Sequence, residues 1–135
     1  MRLVVCAVVA GALVACSQAS TSPSQASVAG MWSLDSVAVV SPLSMKLSQH
    51  DDAITGTGSA MGVDVPIAVD VSGTFSPPTA TSPPLVSLVF QFENAGGITG
   101  QFTGTLTSQN HLHGSVIFYG ITQQPESASA SYSRR

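Results

Sequence analysis

The sequence predicts an all-β protein, an eight-stranded antiparallel up-and-down barrel, with a two-sheet β-sandwich as the alternative. Three observations predict it. Val, Ile, Thr, Ser, Gly and Phe dominate the body of the chain, and Leu, Glu, Lys and Arg at helical spacing are missing. Apolar and polar side chains alternate through successive runs, the period of a strand with one buried face. Short connections join the runs, which makes neighbouring strands antiparallel. A long sheet that is apolar on one face hides that face and removes its edges by closing on itself.

The chain begins outside this pattern. Met1-Arg2 carries one positive charge, Leu3 to Leu13 is a nearly continuous apolar stretch, and small residues follow, the layout of a secretory signal peptide over residues 1–15. The stretch is shorter than the roughly 20 apolar residues that a membrane span requires. Leu13-Val14-Ala15-Cys16 resembles the lipobox of bacterial lipoproteins. The resemblance implies that Cys16 is thioether-linked to diacylglycerol and heads the mature chain. Cys6 lies in the removed segment, so no disulfide can form, and packing alone must hold the fold. Anchoring by two or more acyl chains is stable, since each buried methylene adds about 0.8 kcal/mol. Ser17, where Asp would signal retention, implies by the same resemblance a place in the cell envelope at the outer membrane if the source has two membranes. Residues 16–29, the lipidated Cys and an uncharged Ser- and Ala-rich stretch, read as a flexible tether spanning about 20 Å.

The domain proper is residues 30–135. Its strands are expected at Gly30 to Val37, Ser44 to Gln49, Ala53 to Ala60, Val63 to Phe75, Leu85 to Glu93, Gly97 to Thr107, His111 to Tyr119 and Ser127 to Arg134. Each hairpin register keeps one face apolar. A turn at Gln49 to Asp52 sets Leu47 opposite Ile54, and a turn at Met61-Gly62 sets Gly56 opposite Ile67 and Ile54 opposite Val69. Asn94 to Gly96 sets Phe90 opposite Gly100 and Leu88 opposite Phe102, while Ser108 to Asn110 sets Phe102 opposite Val116 and Leu106 opposite Leu112. Lys46, Thr55, Asp64, Gln91, Thr103, Thr105 and His113 then point outward. Inward Gly56, Gly58, Gly100, Gly104 and Gly114 let the sheet bend and leave room for facing aromatics.

Gly30-Met31-Trp32 at the head of the first strand resembles the G-x-W signature of lipocalins and avidins, the calycin-type small barrels, and Ile54-Thr55-Gly56-Thr57 is similar to the turn into an avidin third strand. The chain closes on Arg134-Arg135, where lipocalins lay an Arg across the first-strand Trp. The resemblance therefore implies a structural lock of Trp32 and Arg134. Trp32 is the only Trp, so the later tryptophans with which avidins enclose biotin are missing.

Chemistry-bearing constellations are sparse. Lys46, Arg134 and Arg135 stand against seven carboxylates, which excludes a clustered basic footprint for nucleic acid. His50, His111 and His113 suggest a metal only until their outward parity and separation are weighed, so no metal site is assigned. No G-x-S-x-G elbow and no phosphate-binding glycine loop occur, and Glu93 and Glu126 read as loop charges. No cofactor and no catalytic residue is expected, and the protein is not read as an enzyme. The Pro-rich segment 76–84 is a stiff connector. The leading expectation is a membrane-anchored lipoprotein whose barrel binds a small apolar ligand through Leu47, Ile54, Ile67, Leu88, Phe90, Phe102, Val116 and Phe118, its mouth near Gly62, Ala95 and Gly120. The alternative is a structural or protein-interaction lipoprotein with a filled core, meeting an envelope protein partner.

Overall fold

A computed structural model describes residues 26–35, 42–62, 64–121 and 123–135. The lipobox, Cys16 and most of the tether lie outside the described residues, as do 36–41, which include the expected end of the first strand. The strands are β1 (Gly30–Leu34), β2 (Ser44–His50), β3 (Ala53–Met61), β4 (Pro66–Ser76), β5 (Leu85–Phe92), β6 (Thr99–Ser108), β7 (His111–Tyr119) and β8 (Glu126–Arg134). They form a closed, all-antiparallel up-and-down barrel in sequence order. The seam that separates a barrel from a sandwich is the β1–β8 pair, with Trp32 opposite Arg134 and Leu34 opposite Tyr132. Closure leaves no strand edge with unpaired backbone groups.

Two hairpins follow the expected register and two are corrected. Phe90 faces Gly100, Leu88 faces Phe102, Phe102 faces Val116 and Leu106 faces Leu112, with a bulge before Ser108. In the β2–β3 hairpin, however, His50 pairs with Ala53, so the turn is Asp51-Asp52 and Leu47 faces Gly56 rather than Ile54. The Gln49 amide donates to the Asp51 carbonyl at 2.9 Å, which ties the turn from inside the strand. In the β3–β4 hairpin Met61 pairs with Pro66, and Ile54 faces Gly73 rather than Val69. Pro66 supplies the reason. A turn at Met61-Gly62 would have set this residue, which has no N–H, inside the ladder, whereas the longer Gly62–Val65 connection places it first in its strand. Both shifts are by an even number of residues, so every side chain keeps its face.

The inner face is continuous from end to end. Trp32, Met45, Leu47, Ile54, Val69, Val86, Leu88, Phe90, Phe102, Leu112, Val116, Phe118 and Tyr132 are all buried. The packing also starts earlier than the expected boundary at Gly30. Val28 is fully buried, its N–H donates to Gln49 Oε1 at 2.9 Å, and its carbonyl accepts from the Trp32 indole at 2.8 Å. The last residues of the expected tether therefore stopper the barrel at the end where β1 begins.

Candidate functional site

Three regions bear on function: the interior, the end where β1 begins and β8 finishes, and the opposite rim. Seven of the eight expected ligand-contacting residues converge in the interior. All but Ile67 are no more than 2% exposed. Ile67 sits half-buried at the far rim, beside Gly62. The interior rings close on one another. Phe102 meets Tyr132 edge-on with centroids 5.9 Å apart, and Phe92 meets Phe118 at 6.1 Å. The inward glycines are covered: a Cβ at Gly100 would lie 2.9 Å from the Phe118 ring and 3.1 Å from that of Phe90, and one at Gly104 would lie 2.6 Å from Phe102. A void large enough for water beside a side chain would show as accessible surface, and Leu88, Phe90, Phe102 and Val116 have none.

Tyr132 and Ala130 belong to this interior and were not read from the sequence as part of it. The signal was present in the Ser/Ala alternation of "SASASYS", but small residues alternate too weakly in hydropathy to mark a face.

At the β1 end, the Arg134 guanidinium carbon lies 4.8 Å from the centroid of the Trp32 indole. Gly30 packs beneath that side chain at φ 138°, a backbone conformation that side-chain-bearing residues rarely adopt, while a Cβ there would make only an ordinary contact with Arg134 Cδ at 3.5 Å. Arg134 Nη2 donates to the Ser27 carbonyl, while its buried Nε finds no partner among the described residues. Burial pulls the guanidinium below its ordinary pKa.

The closed seam creates one polar constellation on the outer wall. Ser133 Oγ donates to Asp35 Oδ2 at 2.6 Å and lies 3.2 Å from His111 Nδ1, while His113 Nδ1 and Ser131 Oγ are 2.7 Å apart. Asp35 and His111 approach to 3.8 Å with both side chains substantially exposed. The serine, not the histidine, stands between the other two and gives its hydroxyl proton to the Asp35 hydrogen bond, so Asp35 does not orient His111 as a base for Ser133. His50 lies apart, 3.2 Å from Asp51 on an exposed turn. Among the described residues no group of three or more ligating side chains gathers for a metal.

The opposite rim carries a cleft of about 460 Å³ between the β3–β4 and β5–β6 connections. Its walls include Asp64, Val65, Pro66, Ile67 and Glu93. It opens beside Gly62, where the mouth was expected, but Ile67 is the only expected ligand residue in it. No family model matches the chain, and no curated protein matches it.

Proposed function

We propose that this protein is a lipid-anchored component of the cell envelope, held through Cys16, whose filled barrel is a rigid platform for an envelope protein partner. The observation that carries this reading is the interior itself: an apolar ligand would need space that Leu88, Phe90, Phe102 and Val116 already occupy. Attachment falls to the acyl chains because the outer wall is polar. Lys46, Thr55, Thr57, Asp70, Gln91, Gln101 and Thr103 are all exposed there, where a barrel spanning lipid needs an apolar band. Among the described residues no helix is long and apolar enough to cross a membrane. Neither chemistry nor a cofactor enters this role.

The test separates platform from carrier. Protein purified from its own host is extracted with solvent, and its melting temperature is followed against a panel of fatty acids and a hydrophobic dye. The platform reading expects no extracted apolar molecule and an unchanged melting temperature. A co-purifying lipid, or a concentration-dependent rise in melting temperature, would return the interior residues to a ligand-binding role. Mass spectrometry of the same material is expected to find Cys16 as an acylated N-terminus.

A further inference from the structure

With no free strand edge and a filled interior, a partner can meet only the outer wall or the rims. The two rims differ. Met61, Val65, Tyr119 and Ile121 are exposed large apolar residues at or beside the connections of the far rim, whereas Met31 and Leu85 are their counterparts at the β1 end. Met61 and Val65 are the most exposed of the set, at 70% and 67%. Charge divides in the same direction. Carboxylates stand at both ends, Asp51 and Asp52 at the β1 end and Asp64, Glu93 and Glu126 at the far rim, but Arg134 and Arg135 lie at the β1 end and Lys46 in the middle of β2, so the far-rim connections contain no Lys or Arg.

Inside the cleft these two properties meet. Val65, Pro66 and Ile67 supply apolar wall, and Asp64 and Glu93 supply two carboxylates from different connections. Neither carboxylate makes an ion pair or side-chain hydrogen bond with another described residue. The cleft, of about 460 Å³ and open to solvent on one side, has room for a few side chains of a partner. Its shape and charge complement a long cationic side chain, whose methylenes lie on apolar wall while its head group reaches a carboxylate.

We propose that this far-rim cleft docks a basic, amphipathic segment of an envelope protein, seating a Lys or Arg side chain between Asp64 and Glu93 with an apolar neighbour on Val65. The proposal rests on the platform reading and names its surface and the chemistry of its partner. The far rim points away from the end where the tether joins β1, so a membrane-anchored barrel presents it outward. Both carboxylates are exposed, so docking is sensitive to ionic strength and weakens as the Debye length shrinks below about 10 Å.

The probe is a fluorescent peptide of alternating Lys and Leu, with a Glu-for-Lys peptide as control, titrated by anisotropy against the full chain. Asp64→Asn combined with Glu93→Gln is expected to weaken Lys-peptide binding about five-fold or more. Asp51→Asn combined with Asp52→Asn, on the opposite rim, removes the same charge and is expected to leave it unchanged. Val65→Ser is expected to weaken it with the carboxylates intact. Equal losses in the two double variants would reduce the effect to net charge and overturn the site, as would equal binding of the Glu peptide. A photo-crosslinking residue placed at Val65, and separately at Thr103 on the outer wall, then tests the chain in its own envelope. A Val65 adduct that disappears in the Asp64→Asn/Glu93→Gln background supports the cleft. Adducts at Thr103 alone overturn the cleft while leaving a platform, and adducts at neither position overturn both.

Discussion

Trp32 shows how much one side chain does at the β1 end. It is wholly buried, donates its indole N–H to Val28, and carries Arg134 on its ring face. Trp32→Ala is expected to cost about 3 to 5 kcal/mol, the range of large aromatic deletions, read as a lower denaturant midpoint with an unchanged slope. Arg134→Ala is expected to cost less, about 0.5 to 2 kcal/mol for the cation-π contact. Gly104 makes the converse case. An added Cβ would lie 2.5 Å from the His113 carbonyl oxygen and 2.6 Å from the Phe102 ring. Gly104→Ala is therefore expected to destabilise by about 1 to 3 kcal/mol through overpacking, although alanine favours strand no less than glycine does. A stable Gly104→Ala protein would mean that the β7 backbone at His113 and Gly114 can move back along with Phe102 and that the barrel is looser than its packing indicates.

Among the elements, the β2–β3 hairpin is the place where turn chemistry sets register. Asp51 adopts φ 53°, a left-handed conformation that Asp tolerates and β-branched residues resist. Asp51→Val is expected to cost about 1 to 3 kcal/mol. Asp51→Gly is expected to be close to neutral, since the Gln49 amide bonds the backbone carbonyl of residue 51 and not its side chain. Thermal unfolding of the pair measures the difference, and equal melting temperatures would show that the turn does not carry strain. In the β3–β4 hairpin the two-residue turn expected at Met61-Gly62 gave way to a longer one for the sake of Pro66. Its consequence is geometric: Gly62, Asp64 and Val65 of the longer connection line the far-rim cleft.

For the whole molecule, closure is the decisive event. Removing Tyr132 to Arg135 deletes the residues paired with Trp32, Ser33 and Leu34, and takes a fully buried ring out of the interior. That truncation is expected to abolish cooperative unfolding and to make the chain protease-sensitive, whereas removing Arg135 alone loses its N–H bond to the Met31 carbonyl but leaves the pairs of Trp32, Ser33 and Leu34 in place. Membrane attachment is a separate property in the proposed scheme. Cys16→Ala is expected to move the protein from the membrane fraction to the soluble one with the barrel's melting temperature unchanged, checked by fractionation and thermal denaturation together.

The sequence by itself determined the eight strands, their antiparallel order and, outside β8, the face on which the side chains lie, because a period of two and short connections are local properties. Leu88, Phe90 and Phe102 could be assigned inward from their neighbours alone. Parity survived even where the register did not, since the shifts at Leu47 and Ile54 moved each by an even number of residues. Whether the interior is empty was not legible in the same way. It depends on whether Phe90, Phe102 and Phe118 lie across Gly100 and Gly104 or beside them, and although these residues sit on the neighbouring strands β5, β6 and β7, that is a matter of side-chain rotamer and sheet coiling, which the alternation of residue types does not report. Nor could the sequence show that Val28 stoppers the barrel, or that Ser133 reaches Asp35 across 98 residues of chain. Only tertiary closure decided these, because the β1–β8 seam brings together the two ends of the barrel segment, and no local pattern reports a contact between segments so distant along the chain.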